Sequence, residues 1–186
     1  MIPNEWLVRK KIGVDGIRNA ISVADKHEID LKVSERSTTG QNSKQWNFTQ
    51  FDVLSNFICK ELMSEEFREH FNIKDYAQGN AWMVEGNEGS YHRMHRHIPA
   101  THEAERLRPH SKNIACVIYT DVPPMPCGEF YFLLKKENDI VINVMEDLEP
   151  GDMIVMPCTV YHGVYPQGPG KRTTINIDFN YAGKEN

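Results

Sequence analysis

The chain has 186 residues, a length suited to a single domain with its own core, and ordinary hydrophobic (40%) and charged (25%) fractions. Its net charge of -5 is unlike the basic surface of a nucleic-acid-binding protein. No apolar run approaches the roughly 20 residues of a membrane-spanning helix. We therefore expect one globular domain, residues 1–186, with neither a nucleic-acid nor a membrane partner.

The N-terminal segment MIPNEWLVRKK has no apolar stretch of the kind that a secretory signal contains. The four cysteines are scattered along the chain, without a Cys-x-x-Cys pair. Both features favour reduced thiols, because disulfides belong mainly to exported proteins. We expect a cytoplasmic location.

Residues 1–78 form a predicted helical N-terminal part. Apolar residues recur at helical spacing over 14–29 and, more strongly, over 49–71, where Thr49 is a suitable N-cap. The polar, glycine-containing segment 34–46 between them is predicted to be a loop.

From residue 79 onward the pattern changes to short apolar or alternating runs separated by Gly, Pro, Asn and Asp. Such a series is typical of an antiparallel jelly roll, with the helices packed on one outer face. The connection 98–112 is long and polar, and we interpret it as a candidate lid. The predicted strands are 79–85, 90–97, 113–122, 128–135, 139–145, 152–157, 161–166 and 172–180.

Three histidines lie within the segment GSYHRMHRH. On a strand, residues two apart face the same side, so His95 and His97 would project together and His92 would face away. Imidazole nitrogens suit Fe, Zn, Cu and Ni. A third ligand from a distant strand would leave coordination positions open for a substrate. In the other interpretation, the three histidines are solvent-exposed surface residues beside two arginines and bind no metal.

A series of motifs occurs in a fixed order within residues 79–182. They are Trp82, Gly89, HRHIP (95–99), VIYTDVP (117–123), GEFYF (128–132), PGDMIVMP (150–157), His162 and RTTINIDFN (172–180). This order resembles the double-stranded β-helix of Fe(II)/2-oxoglutarate-dependent oxygenases, especially small ones from marine bacteria and phages. The resemblance implies a mainly β fold, a jelly roll or cupin-like barrel, with N-terminal flanking helices.

The resemblance also implies a reaction and a site. The reaction would be hydroxylation of an unactivated C–H bond in an amino acid, peptidyl or small-metabolite substrate, with O2 and with decarboxylation of 2-oxoglutarate. His95, His97 and His162 would bind Fe(II). Arg172, ten residues after His162, would hold the distal carboxylate of 2-oxoglutarate with the help of Thr174. The sequence is also compatible with a homodimer.

The chain departs from the family pattern at residue 97, where a carboxylate is usual. Three explanations are open: His97 itself binds, giving a three-histidine site; His97 stands behind a two-histidine site; or a carboxylate comes from Glu103, Glu105 or Glu129. A vacant carboxylate position also leaves room for a halide, so halogenation stays among the candidate reactions.

Two other functions fit parts of the sequence. A metal-binding cupin-type dioxygenase or isomerase that does not use 2-oxoglutarate has similar glycine and histidine spacing, although Arg172 favours the oxygenase. A non-catalytic jelly-roll binding module would instead use a groove lined by tyrosines. The available tyrosines are Tyr91, Tyr119, Tyr131, Tyr161 and Tyr165.

Overall fold

The computed structural model of the chain describes residues 7–29, 42–48, 60, 64–71, 73–97, 111–136 and 139–183. Its elements in chain order are β1 (Val8–Lys11), α1 (Val14–Val23), β2 (Lys26–Ile29), β3 (Ser43–Phe48), α2 (Glu65–His70), β4 (Ile73–Gly86), β5 (His92–His95), β6 (Ser111–Asp121), β7 (Phe130–Lys136), β8 (Asp139–Met145), β9 (Asp152–Pro157), β10 (His162–Val164) and β11 (Arg172–Gly183).

The strands form two antiparallel sheets. The larger sheet has the order β1-β9-β6-β11-β4-β3-β2, and the smaller has the order β5-β10-β7-β8. From β4 to β11 the chain crosses repeatedly between them, so that several neighbouring strands, such as β11 and β4 or β10 and β5, are distant in sequence. This is the topology of a double-stranded β-helix, and the predicted mainly β, jelly-roll fold is confirmed.

Strict alternation along β6 separates two cores. Ile114, Cys116 and Ile118 belong to a cluster outside the large sheet, together with Ile17 of α1 and Phe67 of α2. The intervening residues belong to a cluster between the two sheets. Since both faces of this central strand are covered, its middle residues, 114–119, are all hydrophobic. Each large side chain buried there contributes about 1.5–3 kcal/mol. The inter-sheet cluster includes Ala115, Val117, Tyr119, Phe130, Phe132, Ile154 and Met156.

The Pro-Gly-Asp turn before β9 attaches β1 to the large sheet. Gly151 has a φ of +94°, and a Cβ there would lie 2.5 Å from the carbonyl oxygen of Ile12, so only glycine fits. The buried carboxylate of Asp152 accepts hydrogen bonds from Arg9 Nε at 3.0 Å and Nη2 at 2.9 Å. The backbone N–H of Glu149 donates to it at 2.6 Å. This motif is therefore structural here.

All eight strands predicted from residue 79 onward are present. The predictions 139–145 and 152–157 agree with β8 and β9 at both ends. The segment 90–97 is less regular, because its strand, β5, ends at His95. The β7–β8 turn and the candidate lid lie outside the described residues, except for their edges.

The N-terminal part contains strands that were not predicted. The helix prediction over 14–29 is correct for α1 but wrong for 26–29, which form β2. The loop prediction over 34–46 is wrong for 43–46, which lie in β3. β3 pairs with both β2 and β4, so long-range hydrogen bonds of the large sheet decide these segments rather than local apolar spacing. α2 lies within the predicted helix 49–71, most of which is outside the described residues.

Within the described ranges, no helix combines the length and the apolar character needed to cross a lipid bilayer.

Candidate metal centre

Three histidines meet at one end of the barrel. His95 is the last residue of β5, His97 follows two residues later, and His162 begins β10, directly opposite His95. Their ring centroids are 5.2 Å apart for His95 and His97, 4.4 Å for His95 and His162, and 5.0 Å for His97 and His162. One ring nitrogen from each lies within 4.8 Å of the other two, a spacing that suits a shared metal ion.

Each of the three rings has its Nδ1 atom beside an oxygen. The carbonyl of Arg93 lies 2.8 Å from Nδ1 of His95, and that of Val160 lies 2.9 Å from Nδ1 of His162. A carbonyl oxygen only accepts, so both Nδ1 atoms carry the proton and both Nε2 atoms keep a lone pair. A carboxylate oxygen of Asp178 stands 2.5 Å from Nδ1 of His97 and has the same effect. All three Nε2 atoms are thus left for a ligand.

Burial favours the neutral form of two of these imidazoles, those of His95 and His162. The pKa of His162 is lowered well below its ordinary value, chiefly by burial and then by the charges of His95 and His97. Burial likewise lowers the pKa of His95. A metal binds the neutral form of histidine, so these two rings are in the binding form at neutral pH without having to lose a proton.

The prediction that His92 faces away from the site is wrong. Along β5, His92 and His95 are three residues apart, yet they pair with Val164 and His162, which are two apart. This bulge turns His92 to the same side as His95, and their ring centroids are 5.9 Å apart. The Nε2 atom of His92 is buried without a hydrogen-bond partner in the described part of the chain. Burial, followed by the charges of His95 and Arg172, lowers the pKa of His92 to about 3.

Arg172 is a buried cation at the start of β11, only 3% exposed. Its Nη1 atom donates to the carbonyl of Gly128 at 3.3 Å and to that of Cys127 at 3.5 Å, and its Nη2 atom donates to Ser90 Oγ at 3.4 Å. These are long hydrogen bonds, and no carboxylate of the described residues pairs with the guanidinium. Burial lowers the pKa of Arg172. An incompletely paired buried cation makes this pocket suited to an anionic ligand.

Two hydroxyl groups lie beside this cation. Thr174 is buried on the same face of β11 as Arg172, and its Oγ1 atom accepts from Asn176 Nδ2 at 3.3 Å. Tyr119 stands opposite Thr174 on β6, and its buried hydroxyl has no partner among the described residues. Burial raises the pKa of Tyr119, while the charge of Arg172 acts to lower it. Sequence reasoning gave Tyr119 no part in this pocket and named it only among the tyrosines of a possible binding groove.

The carboxylate near the histidines is Asp178, which sequence reasoning missed. Of the glutamates considered instead, Glu103 and Glu105 lie outside the described residues, and Glu129 belongs to none of the candidate metal-binding groups in the described part. The available signal was strand alternation, because Arg172, Thr174, Asn176 and Asp178 share one face of β11.

Two further groups adjoin His97. The Trp82 ring lies 5.5 Å from the His97 ring, centroid to centroid. The thiol of Cys158 is within 4.8 Å of ligand atoms of His97 and Asp178, and burial raises its pKa, so it stays protonated. The backbone N–H of His97 also donates to the carbonyl of Cys158 at 2.9 Å.

The fold and this site define a double-stranded β-helix whose open end contains a histidine cluster and whose interior contains a buried arginine. No protein-family model and no curated protein sequence matches the chain. Solved structures do match it, and all three described next have the same fold.

A member of the 2OG-Fe(II) oxygenase family from Burkholderia pseudomallei is 15% identical, with a TM-score of 0.62 over 96% of this chain and 88% of that one. The viral collagen prolyl hydroxylase of Paramecium Bursaria Chlorella virus-1, in complex with 2OG, is 12% identical, with a TM-score of 0.60 over 95% and 97%. HygX from Streptomyces hygroscopicus, with nickel, 2-oxoglutarate and hygromycin B bound, is 10% identical, with a TM-score of 0.61 over 94% and 82%. The resemblance predicted from the motifs is confirmed at the level of the fold.

Proposed function

We propose that the protein is an Fe(II)- and 2-oxoglutarate-dependent oxygenase, a single-domain enzyme that hydroxylates an unactivated C–H bond. The observation that carries this proposal is the buried guanidinium of Arg172, which has no carboxylate partner among the described residues and shares the barrel with three histidines. A barrel evolved for packing alone would not retain an uncompensated cation, because burying one is costly.

In this proposal His95, His97 and His162 bind Fe(II) through their Nε2 atoms. The fit is chemical as well as geometric, since neutral imidazoles suit iron and all three Nδ1 atoms are already engaged by oxygen atoms. When bound, the iron supplies the centre at which O2 is activated. The chain's own contribution is to present three nitrogen atoms, one of them from the buried His162, to a single shared space.

Arg172 would bind the distal carboxylate of 2-oxoglutarate, as predicted from the sequence. A guanidinium and a carboxylate form a strong charge-assisted pair, and the buried hydroxyl of Tyr119 is a donor in need of an acceptor. Thr174 completes the group, although its hydroxyl oxygen already accepts from Asn176. His92, whose buried Nε2 also lacks a partner in the described residues, adjoins both the histidines and Arg172.

The substrate class stays as broad as the sequence left it: an amino acid, a peptidyl side chain or a small metabolite. Similar structures include a collagen prolyl hydroxylase and HygX with hygromycin B bound, so this fold accommodates ligands of very different size. The proposal also places the enzyme in a reducing compartment such as the cytoplasm, which suits the buried thiols of Cys127 and Cys158.

The cupin-type alternative is favoured by one observation, the presence of histidine rather than a carboxylate at residue 97. Such an enzyme would need the three histidines but would have no use for a buried arginine. Binding of 2-oxoglutarate therefore distinguishes the oxygenase from the cupin-type enzyme. Binding of a metal distinguishes both enzymes from a non-catalytic module.

The decisive experiment measures 2-oxoglutarate binding by calorimetry on protein loaded anaerobically with Fe(II), and then succinate release after O2 is admitted. R172A should weaken 2-oxoglutarate binding at least tenfold, since losing a buried charged partner costs about 2–5 kcal/mol. K171A is the matched control, because Lys171 is the exposed neighbour that pairs with Glu85 on the surface. If the metal-loaded wild-type protein does not bind 2-oxoglutarate, this proposal is wrong and the cupin-type function takes its place.

A further inference from the structure

The hydrogen bond between His97 and Asp178 joins residues that are 81 positions apart in sequence. At 2.5 Å it is shorter than an ordinary nitrogen–oxygen hydrogen bond, and both side chains are largely shielded, at 9% and 23% exposure. The bond is formed in the barrel interior, at the Nδ1 atom of a proposed metal ligand. It therefore concerns the site itself rather than the protein surface.

The two partners differ in how firmly the backbone holds them. Asp178 lies within β11, which pairs with β6 on one side and β4 on the other, so its position is fixed by the centre of the large sheet. His97 lies beyond the end of β5, where strand pairing no longer sets the direction of a side chain. One backbone hydrogen bond, to the carbonyl of Cys158, locates its main chain. The direction of the ring then depends on its side-chain contacts, which include the rings of Trp82 and His95 and the carboxylate of Asp178 at Nδ1.

We propose that Asp178 is a positioning residue of the metal centre: its carboxylate fixes the ring of His97 so that Nε2 points to the space shared with His95 and His162. The proposal rests on the function proposed above. It also accounts for the histidine at residue 97, where a carboxylate is usual. The carboxylate is still present at the site, but it belongs to Asp178 and contacts His97 on the side away from the metal. A carboxylate behind a histidine raises the basicity of the ligand and fixes its tautomer.

A second role for Asp178 is conceivable from distances alone, because His97, Cys158 and Asp178 also bring ligand atoms within 4.8 Å of one another. In that arrangement Asp178 would bind the metal directly. The observed bond opposes this, because the Nδ1 atom of His97 is engaged with the same carboxylate that would have to bind. The buried, protonated thiol of Cys158 is also a poor ligand. The positioning role is the one that we put to test.

The test measures Ni(II) affinity without 2-oxoglutarate, so that it does not depend on the cosubstrate half of the proposed function. D178N keeps the shape of the side chain and removes its charge, and it should weaken Ni(II) binding by about 10–100-fold. D178E, which retains the carboxylate, should recover most of that loss. D121N is the matched control, since Asp121 pairs with Arg18 on an exposed part of the same sheet.

A double-mutant cycle separates positioning from the other roles. In an H97A background D178N should cost little, because the ring that Asp178 holds is gone. If Asp178 were a direct ligand or had only a structural role, D178N would lower the Ni(II) affinity equally in the wild-type and H97A backgrounds. That result would overturn the proposal. Co(II) absorption spectra provide a second readout, and we expect D178N to shift the bands. Urea unfolding of each metal-free variant establishes that it is folded.

The outcomes also distinguish this inference from the proposed function. Wild-type protein that binds Ni(II), together with a D178N variant of equal affinity, overturns the role of Asp178 and leaves the oxygenase proposal standing. Wild-type protein that does not bind 2-oxoglutarate, but gives the expected double-mutant cycle with Ni(II), overturns the oxygenase proposal and leaves the role of Asp178 standing. Wild-type protein that binds no divalent metal overturns both.

Discussion

Gly128 lies directly against the guanidinium of Arg172: a Cβ atom at residue 128 would meet Nη1 at 1.9 Å. The backbone of Gly128 has a φ of +76°, and its carbonyl accepts from the same Nη1 atom at 3.3 Å. Glycine is required twice, once for the backbone conformation and once for the space that the arginine occupies. The segment GEFYF in the sequence therefore owes its glycine to the pocket of the buried cation.

From this contact we expect G128A to displace Arg172 and to weaken 2-oxoglutarate binding at least tenfold, close to the effect of R172A. The free energy of unfolding should fall as well, because alanine is strained at positive φ. Calorimetry and urea unfolding measure the two effects. G13A is the control, since a Cβ at Gly13 would meet nothing within 4 Å. A G128A protein that binds 2-oxoglutarate like the wild type would contradict the assigned pocket.

The metal assignment predicts that H162A abolishes tight binding of Fe(II) or of its surrogate Co(II). His162 is the proposed ligand that β10 supplies, and its loss leaves only the two imidazoles of the β5 segment, His95 and His97. H27A should keep wild-type affinity, because His27 is exposed on β2 in the other sheet. Anaerobic titration with metal analysis is the measurement. Unchanged affinity in H162A would disprove the three-histidine site.

The bond between Arg9 and Asp152 predicts a large effect on stability far from the site. R9A leaves the carboxylate of Asp152, 2% exposed, with Lys11 at 3.6 Å as its remaining ion-pair partner in the described residues. We expect a loss of about 2–4 kcal/mol in the free energy of unfolding. K44A, which breaks the exposed pair with Glu28, should cost less than about 1 kcal/mol. Equal losses in urea unfolding would show that β1 is not held by this bond.

The buried histidines predict how the stability of the metal-free protein depends on pH. Burial lowers the pKa of His92 to about 3 and also lowers the pKa of His95 and His162, whereas histidine in the unfolded chain titrates near 6.5. Between these values the unfolded chain binds more protons, so stability is lost as the pH falls from 7 toward 4. Each such histidine contributes up to about 1.4 kcal/mol per pH unit.

H92F tests this dependence, because it removes one of the buried titrating groups. The slope of the unfolding free energy against pH between 6 and 4 should decrease by up to about 1.4 kcal/mol per pH unit, which corresponds to the uptake of one proton fewer on unfolding. I140T, on the exposed outer side of β8, should keep the wild-type slope. If H92F and wild type share one slope in urea unfolding at pH 7, 6, 5 and 4, then His92 is solvated and the bulge in β5 does not bury it.

The positions of the barrel strands could be predicted from the sequence because strand alternation is a local property. Most side chains that face a core are apolar, and each neighbour faces the other way, so each strand of the barrel can be recognised in its own residues. The same local pattern predicted that His95 and His97 project together, whereas the roles of His162 and Arg172 were implied by the resemblance to the oxygenase family. The structure brings His95, His97 and His162 together at one end of this barrel.

Only the tertiary structure decided which side chains meet across the barrel. A bulge against β10 turned His92 inward, and no alternation within β5 predicts a bulge. The pairing of His97 with Asp178 and the approach of Tyr119 to Arg172 depend on which strands are neighbours in the large sheet. β2 and β3 likewise owe their conformation to pairing at the sheet edge. A sequence determines the faces of its strands locally, whereas hydrogen bonds and charges between distant strands exist only once the sheets have formed.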